Sequence, residues 1–311
     1  MIKLAAAIDL GSNTIRYALG QYDSEKKEIS INDRSLYPVR IGEGFASSNT
    51  LSCSAMERAL SALEEIKSKI DKAKLEEKYI TAVATGVMRE AKNTDDFREC
   101  VKKRTGFNLC ILGGIEEARI IALGVMNSFS KIKYPLLICD IGGGSTELIR
   151  VDQQKKTFLF SCPMGVVRLT ETYKEMSDKM QFCIDAHLDS CPAKVYPIAQ
   201  LIATAGTSTT LAAIDQQMMV YNPSKIHGYW LATKNIDQIS SFLSRLTAAE
   251  RRTIPGMPPG REDVILAGTI ILQNLLKRVK LKGLTVSEGS LLEGLLIEMF
   301  KGDDDTIRVK I

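Results

Sequence analysis

Two stretches of the chain follow one pattern. AAAIDLGSNTIRYAL near the N-terminus and LLICDIGGGSTELIR from residue 136 each run from an apolar strand through an aspartate into a turn of glycine and hydroxyl residues, then out into a second strand. Aligned, Asp9 falls on Asp140, Gly11 on Gly142 or Gly143, and Thr14 on Ser145 or Thr146. A further apolar run follows each hairpin, PVRIGE after the first and KTFLFSCPMG after the second, so each repeat predicts a meander of three strands. A duplication of one unit, beginning near residues 1 and 134, predicts two similar domains.

Between and after the repeats the pattern changes to alternating strands and helices. SAMERALSALEEIKSKIDKA places Met56, Leu60, Leu63, Ile66 and Ile70 at helical spacing behind Ser52 and Ser54 as capping residues. Strand YITAVAT, a helix through TDDFRECVKKRTG, strand FNLCIL and a helix from IEEARIIALGVMNSF follow. Later come AQLIATAGTSTTLAAID, a strand running into a glycine-threonine-serine turn and a helix, then the loop IPGMPPG, the buried helix REDVILAGTIILQNLLKRV and the strand-helix pair GLTVSEGSLLEGLLIEMF. Alternation of this kind is α/β, with parallel strands inside each sheet. At 311 residues, 45% hydrophobic, the chain is long enough for two cores facing a cleft. The expected boundaries are 1–125 and 126–289, with a C-terminal helix over about 290–311 packing back on the first domain.

Three glycine-hydroxyl turns, Asp9 to Thr14, Asp140 to Thr146 and Gly206 to Thr210, each follow an apolar strand. Glycines let peptide N–H groups converge on an anion, and phosphate is the usual occupant; a plain hairpin turn is the other reading. None of the turns matches the P-loop or dinucleotide fingerprint. Asp140 and Glu147 flank the second turn, as a Mg²⁺ site that adds water and substrate oxygens would require; otherwise Asp140 caps the turn and Glu147 faces solvent. Glu116 and Glu117 open a helix, where acidic residues suit the helix dipole, and either could instead be a general base. Arg89 follows a strand end, placed either to clamp phosphate or to face water.

Zinc is a poor candidate, because His187 and His227 are the only histidines and no cysteines are paired in sequence. A net charge of +4 suits an anionic substrate but falls short of a nucleic-acid footprint. The N-terminus reads as a first strand, not a signal peptide, and no apolar run reaches the roughly 18 residues of a membrane helix. The seven cysteines, an odd number, read as reduced and buried residues of a cytoplasmic protein.

AAIDLGSNTIR, ATGVMREAKNTDDF, GGIEEARIIALGV, LLICDIGGGSTELI, ATAGTSTTLAAID, PGMPPGREDVILAGTIIL and TVSEGSLLEGLL, in this order, resemble the Ppx/GppA family of exopolyphosphatases and guanosine pentaphosphate phosphohydrolases. The resemblance implies two ribonuclease-H-like domains, as in hexokinase, actin and the heat-shock chaperones. It makes Glu117 the catalytic base, and Asp140 and Glu147 catalytic and metal-site acids. It makes Gly11, Ser12 and Asn13 the first phosphate loop, and Gly142, Gly143, Gly144 and Ser145 the second. Arg89 becomes a substrate-phosphate ligand, and Gly206 and Thr207 a third, less settled phosphate-facing turn. Two departures bear on fine geometry: Gly113 replaces a frequent serine ahead of the paired glutamates, and VSEGS puts Glu288 and Ser290 in the last motif.

The resemblance further implies a Mg²⁺-dependent hydrolase of a terminal phosphoanhydride, cytoplasmic and homodimeric. Long members carry further helical domains, for which a chain ending at Ile311 leaves no room. Short-chain polyphosphate is therefore the expected substrate, with guanosine pentaphosphate as the alternative. A superfamily kinase using ATP and a weakly catalytic guanosine-tetraphosphate sensor are the other readings.

Overall fold

The structure, a computed structural model, describes residues 2–174, 177–191, 197–301 and 307–310. The chain divides into two compact units: unit 1 is Met1–Ser128 with Gly289–Ile311, and unit 2 is Phe129–Glu288.

Unit 1 contains, in order, strands β1 (Ile2–Leu10), β2 (Ile15–Asp23) and β3 (Glu28–Tyr37), helices α1 (Phe45–Ser48) and α2 (Cys53–Lys72), strand β4 (Ile80–Ala84), helix α3 (Thr94–Thr105), strand β5 (Leu109–Ile111) and helix α4 (Gly114–Ser128). Unit 2 contains β6 (Leu136–Ile141), β7 (Thr146–Val151), β8 (Thr157–Cys162), α5 (Val166–Tyr173), α6 (Asp178–Asp189), β9 (Gln200–Thr204), α7 (Ala205–Asp215), α8 (Pro223–Ile226), β10 (Trp230–Ala232), α9 (Thr233–Leu243), α10 (Ala248–Arg251), α11 (Ile265–Val279) and β11 (Gly283–Val286). The chain then returns to unit 1 as α12 (Leu291–Phe300) and β12 (Arg308–Lys310).

The duplication in the sequence is a duplication of topology. Sheet order is β12-β3-β2-β1-β4-β5 in unit 1 and β10-β11-β9-β6-β7-β8 in unit 2. In each, a hairpin meander of three antiparallel strands joins two parallel ones through its first strand, giving the ribonuclease-H-like order 3-2-1-4-5. The sixth strand is added at opposite ends: β12 lies parallel beside β3, and β10 antiparallel beside β11. Strand β6 is buried along its whole length, which is why it reads as an unbroken apolar run.

Helix α2 packs Leu60, Leu63, Ile66 and Ile70 inward as their spacing leads one to expect, together with Ala55, Ala59 and Ala62, while Met56 is half-buried; Ser52 caps the helix by accepting from the Ala55 N–H at 3.2 Å. Helix α12 packs against α4 and β1 with nearly every side chain buried.

Three expectations are corrected. PVRIGE is not the third strand; β3 lies earlier, at Glu28–Tyr37, and Pro38, which has no N–H for a ladder, opens a loop. The C-terminal segment is not one helix over 290–311: α12 ends at Phe300 and β12 follows, with 302–306 and 311 outside the described residues. The cysteines are all free, but only Cys139, Cys162 and Cys191 are buried. Cys53, Cys100 and Cys110 are exposed, because those positions of α2, α3 and β5 face outward.

Candidate active site

Both glycine turns close in the same way. The Gly11 N–H donates to the Thr14 carbonyl at 3.0 Å, and the Gly142 N–H donates to the Ser145 carbonyl at 3.0 Å. This geometry fixes the alignment that the sequence left open: Gly11 corresponds to Gly142 and Thr14 to Ser145.

The carbonyls of the two turns are held by different neighbours. In unit 1 they belong to the loop that follows β3: Gly42 N–H donates to Ser12 O at 2.9 Å and Arg40 N–H to Asn13 O at 2.8 Å. In unit 2 the first amides of α5 do this, Val166 donating to Gly142 O at 3.0 Å and Val167 to Gly143 O at 2.9 Å. Gly165 permits the approach, since a Cβ there would stand 2.3–2.4 Å from the backbone of Gly143 and Gly144. With carbonyls tied back, the amides are what each turn presents. Those of Ser12, Gly143 and Gly144 have no acceptor among the described residues, the condition for an anion nest.

The residues named from the sequence fall into two sets. In unit 1, Arg89 ends the short turn at Gly86–Arg89, whose Val87 N–H donates to Ser12 Oγ at 3.1 Å, so the first phosphate turn and the arginine share one support. The Arg89 guanidinium pairs with the Glu117 carboxylate and donates to Leu112 O at 3.3 Å. Glu117 is 9% exposed at its side chain, whereas Glu116 is 48% exposed and bound to Arg119, whose hydrogen bond holds the Glu116 carboxyl below its ordinary range. The two neighbours are thus separated by which face of α4 they occupy. Gly113 has open space where a Cβ would be, so packing does not demand glycine there.

In unit 2, Asp140 and Glu147 are directly opposite in the β6/β7 ladder and therefore share a face of the sheet. Both are buried, and Glu147 Oε1 accepts from Ser161 Oγ at 2.7 Å. Among the described residues no group of three or more His, Cys, Asp or Glu converges on a point. Two carboxylates under open amides nevertheless fit Mg²⁺ by donor chemistry, because that ion takes one or two carboxylates and completes its shell with water and phosphate oxygens.

The third turn is corrected. The helix expected behind it begins already at Ala205, at φ 65° and directly after β9, so Gly206 to Thr210 lie inside α7 and not in a turn ahead of it. The Thr207 side chain is 2% exposed and packed against Gly268 of α11, leaving only its backbone to face an anion. Gly206 adjoins a group the sequence reading gave no role: a Cβ there would collide with the Arg261 guanidinium at 1.8–2.0 Å. The segment PPGRED was visible, but its contact with a helix more than fifty residues earlier was not.

The departures in the last motif are structural. Glu288 donates its N–H to His227 Nδ1 at 3.3 Å and accepts from the Tyr221 hydroxyl. Ser290 is the N-cap of α12 and forms a capping box with Glu293. Its hydroxyl also accepts from Arg16 at 3.1 Å, and Glu293 pairs with Arg34 at 2.8 Å.

A sequence model described as the Ppx/GppA phosphatase family matches residues 22–302. The chain is 32% identical over 310 residues to a bifunctional 3-dehydroquinate synthase/phosphatase of Fusobacterium nucleatum, matching 95% of this chain but only 46% of that protein, so it spans about half the length of this relative. It is 27% identical to Exopolyphosphatase 2 of Mycobacterium tuberculosis over 94% of this chain and 98% of that one. The crystal structure of the Aquifex aeolicus member of the Ppx/GppA protein family superposes with a TM-score of 0.80 at 29% identity, covering 98% of this chain and all of that one. With the duplicated turns and the two strand orders, these matches establish that the chain belongs to the Ppx/GppA phosphatase family.

Proposed function

We propose that the chain hydrolyses the terminal phosphoanhydride of short-chain inorganic polyphosphate. The observation that carries this reading is the buried Asp140–Glu147 pair, set face to face beneath a glycine turn with open amides. The name of the mycobacterial relative, an exopolyphosphatase of almost the same length, supports the choice of substrate.

In the proposed roles, Gly11, Ser12 and Asn13, together with Gly142, Gly143, Gly144 and Ser145, bind phosphate oxygens through the backbone. Gly206 and Thr207 add the N-terminal amides of α7. Asp140 and Glu147 would hold a Mg²⁺, which supplies charge neutralisation at the phosphate oxygens. Arg89 binds phosphate through its guanidinium fork. Its ion pair with Glu117 would then set the carboxylate next to the phosphate it serves, oriented to take the proton of the attacking water. A cytoplasmic homodimer belongs to the same proposal, and sedimentation of the purified chain reads its dimer part.

Phosphate release from polyphosphates of several lengths, guanosine pentaphosphate and ATP, measured side by side with Mg²⁺, tests the substrate. Release from short polyphosphate is expected. Release from guanosine pentaphosphate alone would replace the substrate, and ADP formation that requires an added acceptor would replace hydrolysis by a kinase. Glu117→Gln should lower kcat by about 10²–10⁴-fold with little change in KM.

A further inference from the structure

The two hairpins place opposite chemistry at one position. In the β1/β2 ladder Asp9 faces Arg16, while in the β6/β7 ladder Asp140 faces Glu147. The sequence alignment brings Asp9 onto Asp140, and the matched turn closures bring Arg16 onto Glu147.

Asp9 is 2% exposed, and its Oδ2 receives two bonds from the Arg16 guanidinium, from Nε at 2.9 Å and from Nη2 at 2.6 Å. The third nitrogen of the fork reaches Ser290 Oγ, which caps α12, so the guanidinium is fixed at both ends. Asp9 Oδ1 is buried and has no hydrogen-bond partner among the described residues. The carboxylate therefore has its charge matched from one side by a cation that is part of the chain. In unit 2 the corresponding carboxylate faces a second carboxylate, and directly opposed like charges repel unless a cation joins them.

We propose that Arg16 is the resident cation of unit 1: it fills the place that a divalent ion takes in the unit 2 hairpin, withholds Asp9 from metal binding, and limits the chain to one divalent ion. The inference rests on the metal-binding reading of Asp140 and Glu147. It makes Arg16 a residue that sets metal stoichiometry without touching the metal.

The test counts Mn²⁺ bound per full-length chain, from the loss of the free-ion paramagnetic resonance signal in a titration of metal-stripped protein. Wild type should bind one ion, Glu147→Arg none, and Arg16→Glu, which gives unit 1 the carboxylate pair of unit 2, two. A folded Arg16→Glu chain, checked by circular dichroism and a thermal melt, that binds no more Mn²⁺ than wild type overturns the proposal. So does a wild-type count of two that falls to one in Asp9→Asn. Should Arg16→Glu fail to fold, Arg16→Gln is read in the same titration, where a second, weaker ion supports the proposal and an unchanged count overturns it. The wild-type count separates the two readings. No ion in wild type with one gained in Arg16→Glu refutes the assignment of Asp140 and Glu147 but keeps that of Arg16, whereas one ion in both does the reverse.

Discussion

The hairpin of unit 1 and the hairpin of unit 2 share a backbone and differ in how they are completed. Each closes with the same glycine-to-carbonyl bond of 3.0 Å, and each begins a meander in the same strand order. The first is finished by a chain of polar contacts that runs from Asp9 to Arg16 within the hairpin, then from Arg16 to Ser290, Ser290 to Glu293 and Glu293 to Arg34, and so joins it to α12. The second is finished by the amides of α5 and keeps two carboxylates together at its face. One copy of the duplicated turn sets a cation against its aspartate, and the other sets a second carboxylate there.

The strongest way to break this contrast is to make the second hairpin like the first. Glu147→Arg should lower phosphate release by about 10³-fold or more, since metal neutralisation of phosphate oxygens is worth several kcal/mol, while the melting temperature stays level or rises. Activity that survives this change would mean that the charge difference does not divide the labour. Removing the cation from the first hairpin tests the other half. Arg16→Met leaves Asp9 buried and unmatched, and should cost about 3–5 kcal/mol in urea unfolding, much of it regained in the double variant Asp9→Asn/Arg16→Met.

Smaller effects sharpen the comparison. Ser290→Ala removes the cap of α12 and should cost about 1 kcal/mol by the same urea measurement. The least is expected of Glu116, half-exposed beside Arg119. Because its folded pKa is lowered, its contribution is present at neutral pH and is lost as the pH falls through that lowered value. As a surface pair screened by solvent it is worth about 0.2–1 kcal/mol, so Glu116→Gln should reduce stability slightly at pH 7 and converge with wild type in acid.

Much of this was legible in the sequence because it is local. Asp9 and Asp140 at strand ends, the glycine turns behind them and the helical stripe of α2 are patterns within twenty residues. PVRIGE looked like a strand because Val39 and Ile41 alternate, and both are buried, but they anchor a loop that supports Ser12 and Asn13 instead of pairing in the sheet. The helix expected after a turn at Gly206 begins ahead of that glycine, since glycine, threonine and serine serve a turn or a helix start alike, and only the contact with Arg261 shows why glycine stands there. The pairing of Arg16 with Ser290 spans most of the chain, and no periodicity reports it. Whether an aspartate faces an arginine or a glutamate depends on ladder register, which the shared turn closure supplies.

Helix α12 has a consequence for the order in which the chain can finish folding. Unit 2 is one continuous stretch, Phe129–Glu288, flanked on both sides by parts of unit 1. Leu292, Leu295, Leu296 and Ile297 of α12 are buried in unit 1, and Leu296 reaches within 2.9 Å of where a side chain at Gly20 would start. On the ribosome, the first unit to be synthesised is therefore the last to be completed: its sheet emerges with one apolar face uncovered and keeps it so while the whole of unit 2 is made. A chaperone that shields nascent apolar surface would meet this protein during that interval, and a stop codon at Gly289 or Ser290 would release unit 2 entire and unit 1 unfinished.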